Sequence, residues 1–190
     1  MTESTTAERI QRLLSPERRE RLDVPRILSL LSLRPYLTVA DIGCGPGLFT
    51  LPLAKSLWDG KVYAVDVEEE MLEAVRTRAV KARLGNITTL KSDGAALPLE
   101  PGSVDGALLC CVLHEAADKG ALLKGIVAAM KRGGWCAIIE WKKAMEGSEG
   151  PPQEHRIAEE DVLQLAKDAG LRLSMRRDLN SYHYLLVLIK

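Results

Sequence analysis

The stretch Val39-Ala40-Asp41-Ile42-Gly43-Cys44-Gly45-Pro46-Gly47-Leu48 decides the fold. A short apolar run passes into three alternating glycines, and an apolar segment of helical character follows. Gly43 and Gly45 adopt backbone angles that other residues resist, and they let a ligand lie against bare main chain. A helix opening behind the loop, expected over Leu48–Leu57, presents free N–H groups at its start. Strand, glycine loop and helix together predict a nucleotide or nucleotide-like ligand at the first βα turn of a parallel sheet.

Spacing narrows the ligand. The dinucleotide fingerprint is GxGxxG, whereas here the third glycine comes one place early and Leu48 stands where the last would fall. Pro46 removes a backbone N–H from the cradle. Asp41 adds a carboxylate beside the loop, unhelpful to a pyrophosphate but useful to a ligand carrying an ammonium and a sulfonium. Asp66 closes the next strand, where its two oxygens can accept both hydroxyls of a ribose. The same residue could instead serve as the N-cap of the helix that follows.

Outward from the loop, short apolar runs alternate with amphipathic stretches, the pattern of parallel βα units. Strands are expected at Thr38–Asp41, Lys61–Asp66, Ile87–Ser92, Val104–Cys111 and Trp135–Glu140, with further helices at Glu68–Leu84 and Lys119–Met130. The helix after Asp66 carries Glu68, Glu69 and Glu70 at the positive end of its dipole, an apolar stripe of Leu72, Val75 and Ala79, and a stop at Gly85. Two helices, Thr5–Leu14 and Pro25–Leu33, precede the first strand. At the other end a helix at Ala158–Ala169 is followed by runs at Leu171–Asp178 and Tyr182–Ile189. These are too close for a crossover helix, so they pair antiparallel. The fold expected is a doubly wound, Rossmann-like three-layer α/β sandwich. Its seven-stranded sheet is mostly parallel, with an antiparallel C-terminal strand.

The run from Asp41 to Gly47 reads D-x-G-x-G-x-G and resembles the first motif of the class I S-adenosylmethionine-dependent methyltransferases. From about Thr38 to Lys190 the chain is similar to small bacterial-type members of the ubiquinone/menaquinone-biosynthesis and arsenite-methyltransferase-like group. The resemblance implies S-adenosylmethionine as cofactor. It implies that the backbone of Gly43, Cys44 and Gly45 lies beside the methionine part, Asp66 holds the ribose and Val67 packs on the adenine, with Asp41 and Gly47 also among the expected cofactor-binding residues. Asp93, Gly94 and Ala95 would meet the adenine edge. The exit of the fourth strand, Cys110 to His114 with Cys111 among the cofactor contacts, would line the methionine and the substrate entrance. The chain departs from amino-group methyltransferases, whose [ND]-P-P-[FY] motif is replaced by Cys110-Cys111-Val112-Leu113-His114-Glu115. The Pro-Cys nucleophile of cytosine-carbon enzymes is absent as well. Cys110 and Cys111, adjacent on a strand, are expected to point to opposite faces, which disfavours metalloid chelation.

A sulfonium is already an activated leaving group, so placement of the acceptor and exclusion of water do most of the work. Where the acceptor is a hydroxyl or an acidic carbon a base helps, and His114 is the candidate, just beyond a strand end. Glu115 and Glu140 are weaker candidates. The opposing reading of His114 is a loop histidine satisfied by Asp118 or water. Residues 1–37 form the N-terminal helices, with 38–190 as the cofactor-binding domain. Those helices and the Trp141–Ile157 loop, which contains His155, are candidate lids.

Composition bounds the rest. With 46% hydrophobic and 27% charged residues in 190, the chain has the makings of one globular domain. Its 26 basic and 26 acidic residues balance, which points away from nucleic acid, a local pair such as Arg176-Arg177 aside. The start, Met1 to Ile10, has neither signal nor transit character, and the apolar run Leu185–Ile189 is too short for a membrane. Cys44, Cys110, Cys111 and Cys136 lack CxxC spacing and His partners, so reduced thiols, no metal and a cytoplasmic location are expected. The expected partner is a small-molecule methyl acceptor, with no nucleic acid and no membrane, and a homodimer left open. Two other readings stay open: a non-catalytic S-adenosylmethionine-binding module, and a nicotinamide-dependent oxidoreductase.

Overall fold

The computed structural model describes residues 5–94, 96–144 and 150–190. The chain divides into two compact units, Met1–Ser92 and Asp93–Lys190. In the first, α1 (Thr6–Leu13), α2 (Pro16–Leu22) and α3 (Val24–Ser29) lead into β1 (Thr38–Ile42), α4 (Thr50–Ser56), β2 (Lys61–Asp66), α5 (Glu69–Lys81) and β3 (Ile87–Lys91). β2 pairs in parallel with both β1 and β3. Parallel neighbours need a crossover, and α4 and α5 supply it. Val39, Ala40, Val62 and Ala64 are wholly buried, as strands covered on both faces require. The expected stripe of α5 is its core face, with Leu72 and Val75 closing against Cys44 and Ala64.

The second unit holds β4 (Val104–Cys110), α6 (Lys119–Ala129), β5 (Met130–Trp141), α7 (Glu159–Asp168), β6 (Arg172–Asp178) and β7 (His183–Ile189). β4 and β5 are parallel, and β7 runs antiparallel to both β5 and β6. The order across the sheet is β3-β2-β1-β4-β5-β7-β6. This is the expected Rossmann-like, mostly parallel seven-stranded sheet, with β7 as its reversed strand.

Several boundaries differ from the sequence pattern for physical reasons. α4 begins at Thr50 rather than Leu48, behind Phe49, which offers no side-chain cap. Helix α2 was not expected, because its sequence PERRERL buries only Leu22 and so carries no apolar stripe. It is set locally, by the Ser15 hydroxyl accepting from Arg18 N–H and by Pro16 in the first turn. α5 stops at Lys81, and the left-handed turn falls on Arg83 (φ 55°) instead of Gly85. Met130 starts β5 where the helix was expected to end, so β5 is a 12-residue strand reaching Trp141.

Candidate active site

The glycine loop lies wholly in the first unit. Gly43, Gly45 and Gly47 have φ of 65°, 51° and 85°, angles at which a side chain strains the backbone. At Gly47 space matters too, since a Cβ would come within 2.9 Å of Leu51 and 3.1 Å of Val75. The loop N–H groups point back into the chain. Those of Gly43 and Cys44 donate to the Val65 carbonyl at 2.8 and 3.0 Å, and that of Gly47 to the Cys44 carbonyl at 3.0 Å. Gly45 N–H donates to Asp66 Oδ2 at 2.8 Å. Pro46 has no N–H, and its carbonyl accepts from the Arg78 guanidinium. A pyrophosphate cradle needs loop N–H groups aimed at the ligand, and this loop uses its own internally.

Asp66 is buried at the end of β2, with Oδ1 accepting from Glu68 N–H at 3.0 Å. The capping reading is not realised: Glu68 holds the N-cap position of α5 without a side-chain cap, and Asp66 meets only the N–H of that residue ahead of the helix. Each Asp66 oxygen keeps a further lone pair for a hydroxyl. Val67 beside it is 53% exposed, an apolar face next to the carboxylate. The helices ahead of β1 reach the same neighbourhood: Arg9 pairs with Glu68 at 2.6 Å, and Leu13 would lie 3.8 Å from a Cβ on Gly45.

Asp41 is turned into the protein rather than toward the loop mouth. It is 2% exposed and accepts from the Thr50 hydroxyl at 2.6 Å, tying β1 to the start of α4. Burial drives its pKa up to about 7 against the opposing Thr50 hydrogen bond, and the neighbouring Asp66 charge raises it further. Nothing in the sequence pattern singles out Thr50. Cys44 is buried, and burial pushes its thiol far up, so its part in the loop is its backbone and its bulk.

The remaining candidates belong to the second unit. Asp93 and Gly94 are exposed, and Asp93 Oδ1 accepts from Ala96 N–H at 3.0 Å. Ala95 lies outside the described residues, as do residues 145–149 of the Trp141–Ile157 loop; His155 ends a short 3₁₀ turn, Gln153–His155. Cys110 and Cys111 do not point to opposite faces. β4 ends at Cys110, Cys111 takes a left-handed φ of 58°, and the two sulfurs come within 4.0 Å, both half-buried. Strand alternation no longer holds once the chain turns out of the strand.

His114 sits on a 3₁₀ turn, Leu113–Glu115, pinned by the fully buried Leu113. Its partner is Glu140, near the end of β5, and not Asp118, which caps α6 by accepting from Ala121 N–H at 2.8 Å. Glu140 is completely buried. Its Oε2 lies 2.8 Å from His114 Nδ1, and its Oε1 accepts the His114 backbone N–H at 3.2 Å. On the other side of the ring, Glu115 lies 3.8 Å from Nε2. Burial alone would lower the His114 pKa, but the hydrogen bond and charge of Glu140, with Glu115, outweigh it and the opposing Lys119, and the net shift is upward. Among the described residues no group of three or more His, Cys, Asp or Glu could hold a metal, and no helix is long and apolar enough to cross a membrane.

A family model described as a methyltransferase domain matches residues 40–138. Among curated proteins, the chain is 34% identical over 105 residues to a demethylmenaquinone methyltransferase of Lactococcus lactis subsp. lactis, covering 55% of this chain and 42% of that protein. It is 34% identical over 113 residues to a trans-aconitate 2-methyltransferase of Mycolicibacterium gilvum, covering 59% and 41%. The chain thus spans less than half the length of these relatives. Among solved structures, a SAM dependent methyltransferase from Aquifex aeolicus superimposes with a TM-score of 0.90 at 31% identity, over 98% of this chain and 99% of that one.

Proposed function

The chain belongs to the methyltransferase domain family, within the class I S-adenosylmethionine-dependent group, and from that premise we propose that it transfers a methyl group to a small-molecule acceptor. The observation that carries the proposal is the glycine loop closed onto Asp66, with its N–H groups turned inward and a carboxylate and an exposed Val67 at the strand end. That chemistry fits a cofactor with a ribose, a flat base and a positive sulfonium, and it suits a dinucleotide poorly. Asp66 would hold the ribose hydroxyls, Val67 the adenine face, and the Gly43–Gly47 backbone the methionine part. Asp93, Gly94 and Cys111 are proposed as lesser contacts. The cofactor supplies an activated methyl on sulfur, and the chain's own residues orient, exclude water and move a proton.

His114 is the proposed base, since imidazole exchanges a proton near neutral pH. The helices ahead of Thr38 are proposed as a cover of the cofactor loop, in keeping with the Arg9–Glu68 pair and the place of Leu13. A cytoplasmic enzyme acting on a small molecule, with a homodimer left open, completes the reading. The test is a methyl-transfer screen over phenols, quinones, carboxylic acids, thiols and metalloids. Transfer to any of them supports the proposal. A chain that binds the cofactor and methylates none of these points instead to a non-catalytic module.

A further inference from the structure

We infer that Glu140 is a positioning residue that fixes the His114 ring with Nδ1 protonated and Nε2 bare, which fits the pair to take a proton from a hydroxyl or an acidic carbon of the acceptor. The acceptor class rests on the methyltransferase reading above; the tautomer rests on the geometry of the second unit alone. One carboxyl group grips both the backbone and the ring of the same residue, at 3.2 Å to the His114 N–H and 2.8 Å to Nδ1. The Trp141 backbone N–H also donates to it, at 3.3 Å. Two backbone donors thus use Glu140 as an acceptor, and Nδ1–H completes the set as a third. The first ring nitrogen then has no role left in proton transfer, and Nε2 must carry it.

A carboxyl with no exposure is costly to bury, and its hydrogen bonds offset that cost. If packing were its only use, an apolar residue at the end of β5 would fill the place without the penalty. In the step proposed, the proton leaves the acceptor oxygen or carbon for Nε2. The electron pair left behind forms the bond to the methyl carbon, and the carbon–sulfur bond breaks with its pair on sulfur. Glu140 then faces the imidazolium and stabilises it. Acceptors that already carry a free pair without a proton to lose, such as thiolates, would draw nothing from this arrangement.

The charged groups facing His114 are Glu140 from β5, Glu115 from the same turn and Lys119 from α6. Long-range proton–nitrogen spectra of the full nitrogen-15-labelled chain, followed across pH, test the inference without any acceptor. Only three histidines are present, and the His114→Asn spectrum identifies the ring. Above its titration midpoint, wild-type His114 should have a protonated Nδ1 and a bare Nε2. Glu140→Gln should keep the shape of the site and lower the midpoint by about one pH unit or more. A protonated Nε2 in the wild type, or an unmoved midpoint in Glu140→Gln, overturns the inference. If Glu140→Gln fails to fold, the wild-type tautomer still decides, and Glu140→Asp, with its charge drawn back, should give a smaller fall. Methylation confined to thiols or metalloids in the screen overturns the acceptor class. A wild-type chain that binds no S-adenosylhomocysteine in calorimetry sinks the methyltransferase reading and leaves the tautomer result standing.

Discussion

Asp41 and Asp66 end neighbouring strands of the first unit and do different work. Asp66 keeps its oxygens at the loop, whereas Asp41 is buried against Thr50 with a pKa near 7. An acid whose pKa is raised on folding holds its proton more tightly in the folded chain, so stability falls as pH climbs from its ordinary value toward the folded one. Asp41→Asn should therefore gain on the wild type in melting temperature as pH rises from about 4 to about 7. Parallel melting curves across that range would mean that Asp41 is ionised throughout. At His114 the expected outcome is kinetic: His114→Asn should slow methyl transfer about 10²–10⁴-fold and leave S-adenosylhomocysteine affinity within about threefold, roughly 0.7 kcal/mol. Normal turnover in that variant would leave placement alone to account for catalysis. His114 was legible in the sequence as a histidine past a strand end. Its partner was not, because Glu140 lies on another element and only the parallel pairing of β4 and β5 brings it near.

The elements most legible in the sequence are those with a strong period or a glycine stop. β1, β2, β7 and the apolar stripe of α5 fall close to their patterns because burial dictates the residue types, while β6, which buries no residue, was legible from its short connection to β7. α2 was hidden because local capping, not a stripe, holds it. The start of α4 was misplaced because Leu48 and Phe49 have the composition of a helix but lie in the turn after Gly47. One long-range device secures α4 at its other end: the Asn86 side chain donates to the Ala54 and Leu57 carbonyls at 2.9 and 2.7 Å. Ala54 lies in the last turn of α4, where acceptors lack intrahelical partners, and Leu57 is the residue that caps it, its carbonyl also accepting from Gly60 N–H at 2.8 Å. Asn86→Ala should lower unfolding free energy by about 1–3 kcal/mol in urea titration. An unchanged midpoint would mean that the carbonyls find other donors.

At the scale of the whole molecule, the fold class and the glycine loop after β1 were readable because a seven-residue motif and a reversed last strand are set by local spacing and connection length. The acceptor was not readable, since the run Cys110-Cys111-Val112-Leu113-His114-Glu115 carries no acceptor-specific motif. The central claim is that the loop and Asp66 serve S-adenosylmethionine rather than a nicotinamide dinucleotide. Isothermal titration of the wild type and of Asp66→Ala with S-adenosylhomocysteine and with NAD tests it most directly. The wild type should bind S-adenosylhomocysteine and not NAD, and folded Asp66→Ala should lose about 1–3 kcal/mol of that affinity, roughly 5- to 150-fold. Preference for NAD, or undiminished affinity in folded Asp66→Ala, would contradict the account.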